Sequence, residues 1–315
     1  MARDLKYNDF KLNKSPRLKK FRHSLEYYFA RGLILFSGIW SIRTNLKMGS
    51  LLGKLGYYLA KKERGIADYQ LKFCFPELSD EERNLIVKDV FINTGKTVFE
   101  TLCVNKIRKR ADTWIKFHNQ EVIEEAQKSG KGAILLVAHV ANWELFTIVF
   151  EELGILGKAI QSPVGDKKLD NILQKNRQSP NLTMIPRQGK RSVKELLNCF
   201  RNNQVLVTII DQDTRAKSIF VDFFGKSAAT PSGPAGLGQK FQVPVISAYS
   251  YRDENGAHHF DFQKLSEAPY KGGDEEIHEL TQRYSLALET HIRKYTAQWM
   301  WFHRRWRNQP DDDQN

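Results

Sequence analysis

The run Ala133-Ile134-Leu135-Leu136-Val137-Ala138 most constrains what this chain folds into. Following Gly130 and Gly132 and ending at a polar cluster, it reads as a strand buried on both faces. Such a strand belongs inside an open α/β sheet, where ligands bind beyond the strands' carboxyl ends. The residues that emerge there are His139-Val140-Ala141-Asn142-Trp143-Glu144. A histidine accepts a proton near neutral pH when a carboxylate holds its other ring nitrogen, fixing the tautomer and stabilising the imidazolium. Glu144 is the nearest carboxylate. An ideal helix, with about 3.6 residues per turn, does not align positions five apart. His139 is therefore expected at the strand end or in the loop, and Glu144 in the first helical turn. A His and a Glu at this spacing are more often unrelated residues; the preceding strand is what points to chemistry.

The rest of the chain alternates between helix and strand. Two apolar helices are expected over residues 24 to 42 and 47 to 60, after a basic stretch of about 20 residues. Ser79 as N-cap and Glu82 three residues on form a capping box that starts a helix over 80 to 103. Helices follow at 121–129, 145–152, 169–177, 193–200 and 277–295, and strands at 158–161, 205–210, 245–249 and 259–262. The expected fold is α/β, a mixed sheet flanked by helices. It comprises an N-terminal helical, membrane-associating region over 1–120 and a catalytic core over 121–310. A small acidic tail, Asp311-Asp312-Asp313, closes the chain.

Asp211-Gln212-Asp213 follows the apolar run Val205 to Ile210, so a second buried strand delivers polar groups to the rim. Thr214, Arg215, Ala216 and Lys217 bring positive charge next to it, which argues for local organisation over a metal cage. Asp211 is the expected inward-facing carboxylate. Arg177 and Arg187 flank the apolar run Leu182 to Ile185; each suits a phosphate or a developing oxyanion, or is a solvated basic residue. Phe220 to Lys226 and Thr230 to Gly236 combine an apolar wall with a turn and a helix start. They fit an acyl chain and an anion, or close helix-sheet packing.

Charge narrows the partners. With 49 Lys and Arg against 36 Asp and Glu, the formal charge is +13, which attracts anionic surfaces: phospholipid, phosphorylated lipid, an acidic carrier protein or nucleic acid. No zinc-finger spacing or nucleic-acid module favours the last. Cys74, Cys103 and Cys199 show no metal-ligand or disulfide spacing and are expected to be reduced. The apolar stretch around Gly32 to Trp40 is shorter than the roughly 20 residues that span a bilayer, so an interfacial helix fits it better, with a core helix as the alternative. Trp299-Met300-Trp301-Phe302-His303-Arg304-Arg305-Trp306-Arg307 interleaves rings and cations. That composition suits a membrane interface, with a structural cap as the alternative.

These motifs together resemble the late acyltransferases of lipid A biosynthesis, within the wider glycerolipid and lysophospholipid acyltransferase group. The resemblance runs from Phe73-Cys74-Phe75-Pro76-Glu77 through His139 to Glu144, Asp211-Gln212-Asp213 and Val221 to Gly225, to the Gln298 to Arg307 tail. It covers most of the chain. The family's His-x4-Asp/Glu motif falls on His139 and Glu144, its arginine region on Arg177 and its Asp-x-Asp stretch on Asp211 and Asp213. The continuation Asp211-Gln212-Asp213-Thr214-Arg215 departs from the Gly-containing segments of many close members. The resemblance implies a glycerolipid acyltransferase-like core at the cytoplasmic face of a bacterial inner membrane. It further implies a thioester of acyl carrier protein as donor, with acyl-CoA as the alternative, and an anionic glucosamine-based lipid as acceptor.

On this reading His139 is the general base and Glu144 orients it, while Arg177 or backbone N–H groups stabilise the oxyanion. Asp211, Asp213 and Arg187 contribute to substrate or oxyanion stabilisation. No metal, further cofactor or covalent enzyme intermediate is needed. The competing readings are a glycerolipid acyltransferase, a hydrolase, and a lipid-binding protein without catalysis.

Overall fold

The computed structural model describes residues 32–161, 167–187, 189–214 and 217–310. The basic N-terminal stretch, residues 24 to 31 of the first expected helix, Arg215 and the Asp311 to Asp313 tail lie outside these. The described residues form nine strands: β1 (Ile115–His118), β2 (Ala133–Val137), β3 (Gly157–Gln161), β4 (Leu182–Pro186), β5 (Val205–Ile209), β6 (Ser218–Phe223), β7 (Lys226–Pro231), β8 (Val245–Arg252) and β9 (His258–Ser266). Seven of them form one mixed sheet in the order β1-β9-β8-β2-β5-β3-β4, and β6 and β7 form a separate hairpin. β8 and β9 pair antiparallel; the other neighbours in the sheet run parallel. The fold is therefore the α/β mixed sheet flanked by helices that the sequence predicts.

β2 sits at the centre of the sheet, and all five of its residues are buried. Its apolar run has no alternation because side chains from both of its faces enter hydrophobic cores, Ile134 and Leu136 one, Ala133, Leu135 and Val137 the other. The turn into β2 needs a glycine. Gly132 has φ +77°, and a Cβ there would lie 2.5 Å from the Gln204 carbonyl oxygen. In the register of β2 on β5, Ala133 faces Val205 and Val137 faces Ile209. The chains leaving these two strands therefore emerge side by side.

The longer helices ahead of the sheet are α1 (Ile42–Leu59), α2 (Lys61–Cys74) and α3 (Asp80–Leu102). The capping box expected at Ser79 and Glu82 starts α3, with reciprocal side-chain to backbone bonds. α1 begins at Ile42, not near residue 47, because Ser41 caps it by accepting from the Thr44 N–H; a separate helix covers 32–39. α2 was not legible as a helix. Its first turn is all charged, and it buries only Ala67, Gln70, Leu71 and Cys74.

Small residues let α1 lie directly on α3. A Cβ at Gly53 would stand 2.3 Å from the Phe91 carbonyl oxygen, and one at Gly95 would stand 2.1 Å from that of Gly49. The opposite side of α1 carries Leu51, Leu55, Tyr58 and Leu59 at 60, 51, 61 and 71% exposure. Leu35, Phe36 and Ile39 are likewise exposed on the 32–39 helix. The helix for which an interfacial or a core position is expected is the 32–39 one, which exposes these apolar side chains and buries Ser37; α1 has one face packed through glycines and one apolar and open. Among the described residues, no helix is long and apolar enough to cross a membrane.

The C-terminal aromatic segment is anchored by buried side chains, which corrects its reading as a lipid-facing surface. Trp299, Trp301 and Arg305 are each at most 2% exposed. Gln70 of α2 donates to the carbonyl of Trp301 at 2.7 Å and accepts from the N–H of Arg305 at 2.9 Å. The Arg305 guanidinium donates to the Ala229 carbonyl at 2.6 Å and to the Thr230 hydroxyl, both on β7. The tail is a structural cap between α2 and the β6–β7 hairpin.

Candidate active site

His139 stands two residues beyond β2, and Asp211 two residues beyond β5. The 72-residue offset that pairs Ala133 with Val205 is the one that brings His139 to Asp211. His139 Nδ1 lies 2.8 Å from Asp211 Oδ1, and the backbone N–H of His139 donates to Asp211 Oδ2 at 2.7 Å. The Trp299 indole donates to the same Oδ2 at 2.9 Å. Residues 139–141 are held from the other side by the tail: Ala141 N donates to the Gln298 carbonyl at 2.9 Å, and Met300 N to the His139 carbonyl at 3.1 Å.

The carboxylate that holds the His139 ring is thus Asp211, and the expected His139 to Glu144 bond is corrected. Glu144 lies in a short 3₁₀ turn, Trp143–Leu145, and its carboxylate is taken by other donors. Arg177 Nε reaches Oε2 at 2.6 Å and Nη2 reaches Oε1 at 2.5 Å, a bidentate pair, and the Trp143 indole donates to Oε1 at 3.1 Å. Arg177 Nη1 also donates to Gln161 Oε1 at 3.1 Å. Glu144 therefore fixes Arg177 and acts on His139 through its charge alone.

The electrostatics favour a base. Burial works to lower the His139 pKa, but the charge and hydrogen bond of Asp211, with Glu144 adding, hold it above its usual value. Burial works to raise the Asp211 pKa, but His139 and the bonds from Trp299 and the His139 backbone hold it below the usual carboxylate range. With Asp211 ionised and only 1% exposed, Nδ1 is the donor, which leaves the Nε2 lone pair available. Gln212 Nε2 lies 3.4 Å from it.

His139, Glu144, Arg177 and Arg187 line one cavity of about 830 Å³. Its walls are mostly apolar, with Phe146, Ala159, Met184, Val207 and Leu237 among them, and Ile219 and Pro231 to Gly233 contribute from the hairpin side. In the stretch from Phe220 to Gly236, Phe223 and Phe224 are buried in the aromatic core, while Pro231 to Pro234 and Gly236 line the cavity. Arg187 and Lys217 are exposed lining residues, and Arg187 Nη2 also donates to the Thr214 hydroxyl at 2.6 Å.

The two aspartates are not substrate ligands in this geometry. Both Asp211 oxygens are engaged within the protein, and an anion cannot stabilise an oxyanion. Asp213 accepts from Asn308 N and Nδ2, each at 2.9 Å, and so clamps the tail. Sequence reasoning missed Trp299 and Gln298; their location in an aromatic-basic segment carried no signal for this role. Chemically, the site presents an oriented imidazole base, a fixed guanidinium and an apolar chamber beside them.

The family model described as bacterial lipid A biosynthesis acyltransferase matches residues 14–308. The chain is 28% identical over 232 residues to a lipid A biosynthesis acyltransferase of Haemophilus influenzae, covering 70% of this chain and 71% of that protein. It is 25% identical over 271 residues to the lipid A biosynthesis lauroyltransferase of Escherichia coli, covering 84% and 86%. Among solved structures it is similar to the 1-acyl-sn-glycerophosphate (LPA) acyltransferase PlsC of Thermotoga maritima. That likeness has a TM-score of 0.39 and 11% identity, over 81% of this chain and 99% of the other.

Proposed function

The chain belongs to the bacterial lipid A biosynthesis acyltransferase family and is an acyltransferase; from that premise we propose that it moves a fatty acyl chain from a thioester of acyl carrier protein to a hydroxyl of a phosphorylated glucosamine lipid, a lipid A precursor. The observation that carries the reading is His139, with Nδ1 on the buried Asp211 carboxylate, lining a largely apolar cavity of about 830 Å³. In the reaction the acceptor hydroxyl gives its proton to His139 Nε2 as its oxygen attacks the thioester carbonyl carbon. The C–O bond forms, and the carbonyl oxygen carries the negative charge. Collapse of this tetrahedral species breaks the C–S bond, and the departing thiolate takes the proton back from Nε2. The remaining N–H groups of Arg177, or backbone N–H groups nearby, serve the oxyanion.

Charge supports the choice of substrates. An acidic carrier gains encounter rate from a chain of formal charge +13, and Arg187 and Lys217 at the cavity suit acceptor phosphates. The test is a paired-substrate assay with lipid product analysis. It compares acyl carrier protein with CoA thioesters, and a Kdo-bearing lipid A precursor with glycerol phosphate lipids. Acylated lipid A precursor that depends on the acceptor is the expected product. Transfer to the glycerol lipid alone overturns the acceptor, and thioester loss without an acylated lipid overturns the transferase reading.

The same reading sets the protein on the cytoplasmic face of the inner membrane, with the open face of α1 in the headgroup region. Its apolar residues at positions 51, 55 and 58 follow one side of the helix, with Lys47 and Lys54 exposed nearby. Replacing Leu51, Leu55 and Tyr58 together with Ser is expected to reduce retention on phosphatidylglycerol-containing vesicles by about 10-fold or more. That is a conservative figure for three side chains each contributing roughly 1.5 to 3 kcal/mol when buried. Unchanged retention, with circular dichroism showing an intact fold, contradicts this placement.

A further inference from the structure

Behind the catalytic loop lies a cluster of buried charge that the proposed chemistry does not use. Glu100 of α3 is 1% exposed and is held by Arg252 at the end of β8, Nε to Oε1 and Nη2 to Oε2, each at 2.7 Å. His258 Nε2, at the start of β9, lies 3.0 Å from Glu100 Oε1. Burial works to raise the Glu100 pKa, but Arg252 and His258 overcome it and keep the carboxyl ionised. None of the three lines the cavity. Buried ion pairs carry a heavy desolvation cost, and a well-packed apolar cluster of the same volume is often at least as stable. Stability alone therefore does not account for it.

What the cluster touches does. Asn142 is fully buried, and its Nδ2 donates to Glu100 Oε2 at 3.0 Å. Its Oδ1 accepts the backbone N–H of Glu144 at 3.1 Å, capping the turn that carries Glu144. Arg252 Nη2 donates to the Thr97 hydroxyl at 3.0 Å, which in turn donates to the Ala141 carbonyl at 2.7 Å. Ala141 has a left-handed φ of +50°, a conformation that a non-glycine residue keeps only when its surroundings impose it. Gln298 exchanges two bonds with the Arg252 backbone, at 2.8 and 2.9 Å, and accepts from Ala141 N through its own carbonyl.

We infer that Asn142 is a positioning residue for acyl transfer: by joining the Glu144 backbone to the buried Glu100–Arg252 pair, it fixes Glu144 and, through Glu144, the Arg177 guanidinium at the cavity. This rests on the proposed His139 chemistry. An asparagine suits the position because it offers an acceptor to an N–H and a donor to a carboxylate at once. A carboxylate at 142 would face Glu100, and a serine keeps the acceptor but is too short to reach Glu100.

A double-mutant cycle tests this, with turnover measured on the donor and acceptor that the wild type uses in the paired-substrate assay. Asn142→Ala is expected to lower kcat by about 10-fold with KM for the thioester changed less than about 2-fold, as for loss of a transition-state contact. In a Glu144→Ala background the same substitution is expected to cost less than about 2-fold, because the residue it acts through is gone. Asn142→Ser, which retains the cap, is expected to fall between wild type and Asn142→Ala. It carries the cycle if the alanine variant shows no cooperative thermal melt. An equal loss in both backgrounds, or a wild-type kcat in Asn142→Ser and Asn142→Ala alike, overturns the inference. His139→Ala run beside them separates the two levels. If it keeps wild-type turnover, the base assignment has failed; if it is inactive while the cycle is additive, only the role of Asn142 has.

Discussion

Asp211→Asn is expected to lower acyl-transfer turnover by about 10²- to 10⁴-fold, although the substitution is nearly isosteric. The size follows from how the carboxylate is shared. Oδ2 accepts two N–H groups, from the His139 backbone and the Trp299 indole, while Oδ1 faces His139 Nδ1. An asparagine satisfies the first two donors only by turning its carbonyl oxygen toward them. Its amide NH₂ then faces Nδ1. That forces Nδ1 to accept, moves the ring proton to Nε2 and occupies the lone pair on which base catalysis depends. The pH profile gives a second readout. A general base works unprotonated, so the rate climbs with pH as His139 loses its proton. With the His139 pKa raised by Asp211, the acid limb of the wild type is centred above the ordinary 6.5. Removing the negative charge removes the main cause of that rise, so the residual activity of Asp211→Asn has its acid limb at lower pH. Turnover within a few-fold of wild type, or an unmoved limb, contradicts the assignment.

Much of this site was legible in sequence, and what was not has identifiable causes. The β2 run and the β5 run were visible as apolar segments, and each delivers its polar cluster at the same distance beyond its end. What the sequence withheld is strand order. His139 and Asp211 are 72 residues apart, and only the parallel pairing of β2 with β5 makes them neighbours, whereas Glu144 is close merely along the chain. The equal spacing past the two strands was the available signal. The capping box at Ser79 was legible because it is a local hydrogen-bond pattern. The tail was not, because rings interleaved with arginines satisfy an interface and a buried cap equally well. Partners as remote as Gln70 and Ala229 decide between them. α2 escaped for the opposite reason, since a polar helix with a narrow buried stripe has little periodic signal.

His139→Ala carries the other large expected effect. The substitution removes the proton acceptor while leaving Asp211 its bonds from the His139 backbone N–H and the Trp299 indole, so the loop keeps its anchors. Loss of general acid-base catalysis alone typically costs about 10²- to 10⁴-fold, and no other described histidine lines the cavity to replace it. The most direct measurement is therefore quantitative lipid product analysis of purified wild type and His139→Ala, with equal folded enzyme, the acyl carrier protein thioester and the lipid A precursor. The account predicts at least about a 100-fold fall in acylated precursor, with the circular-dichroism spectrum unchanged. Acylated precursor formed at close to the wild-type rate by folded His139→Ala would contradict it.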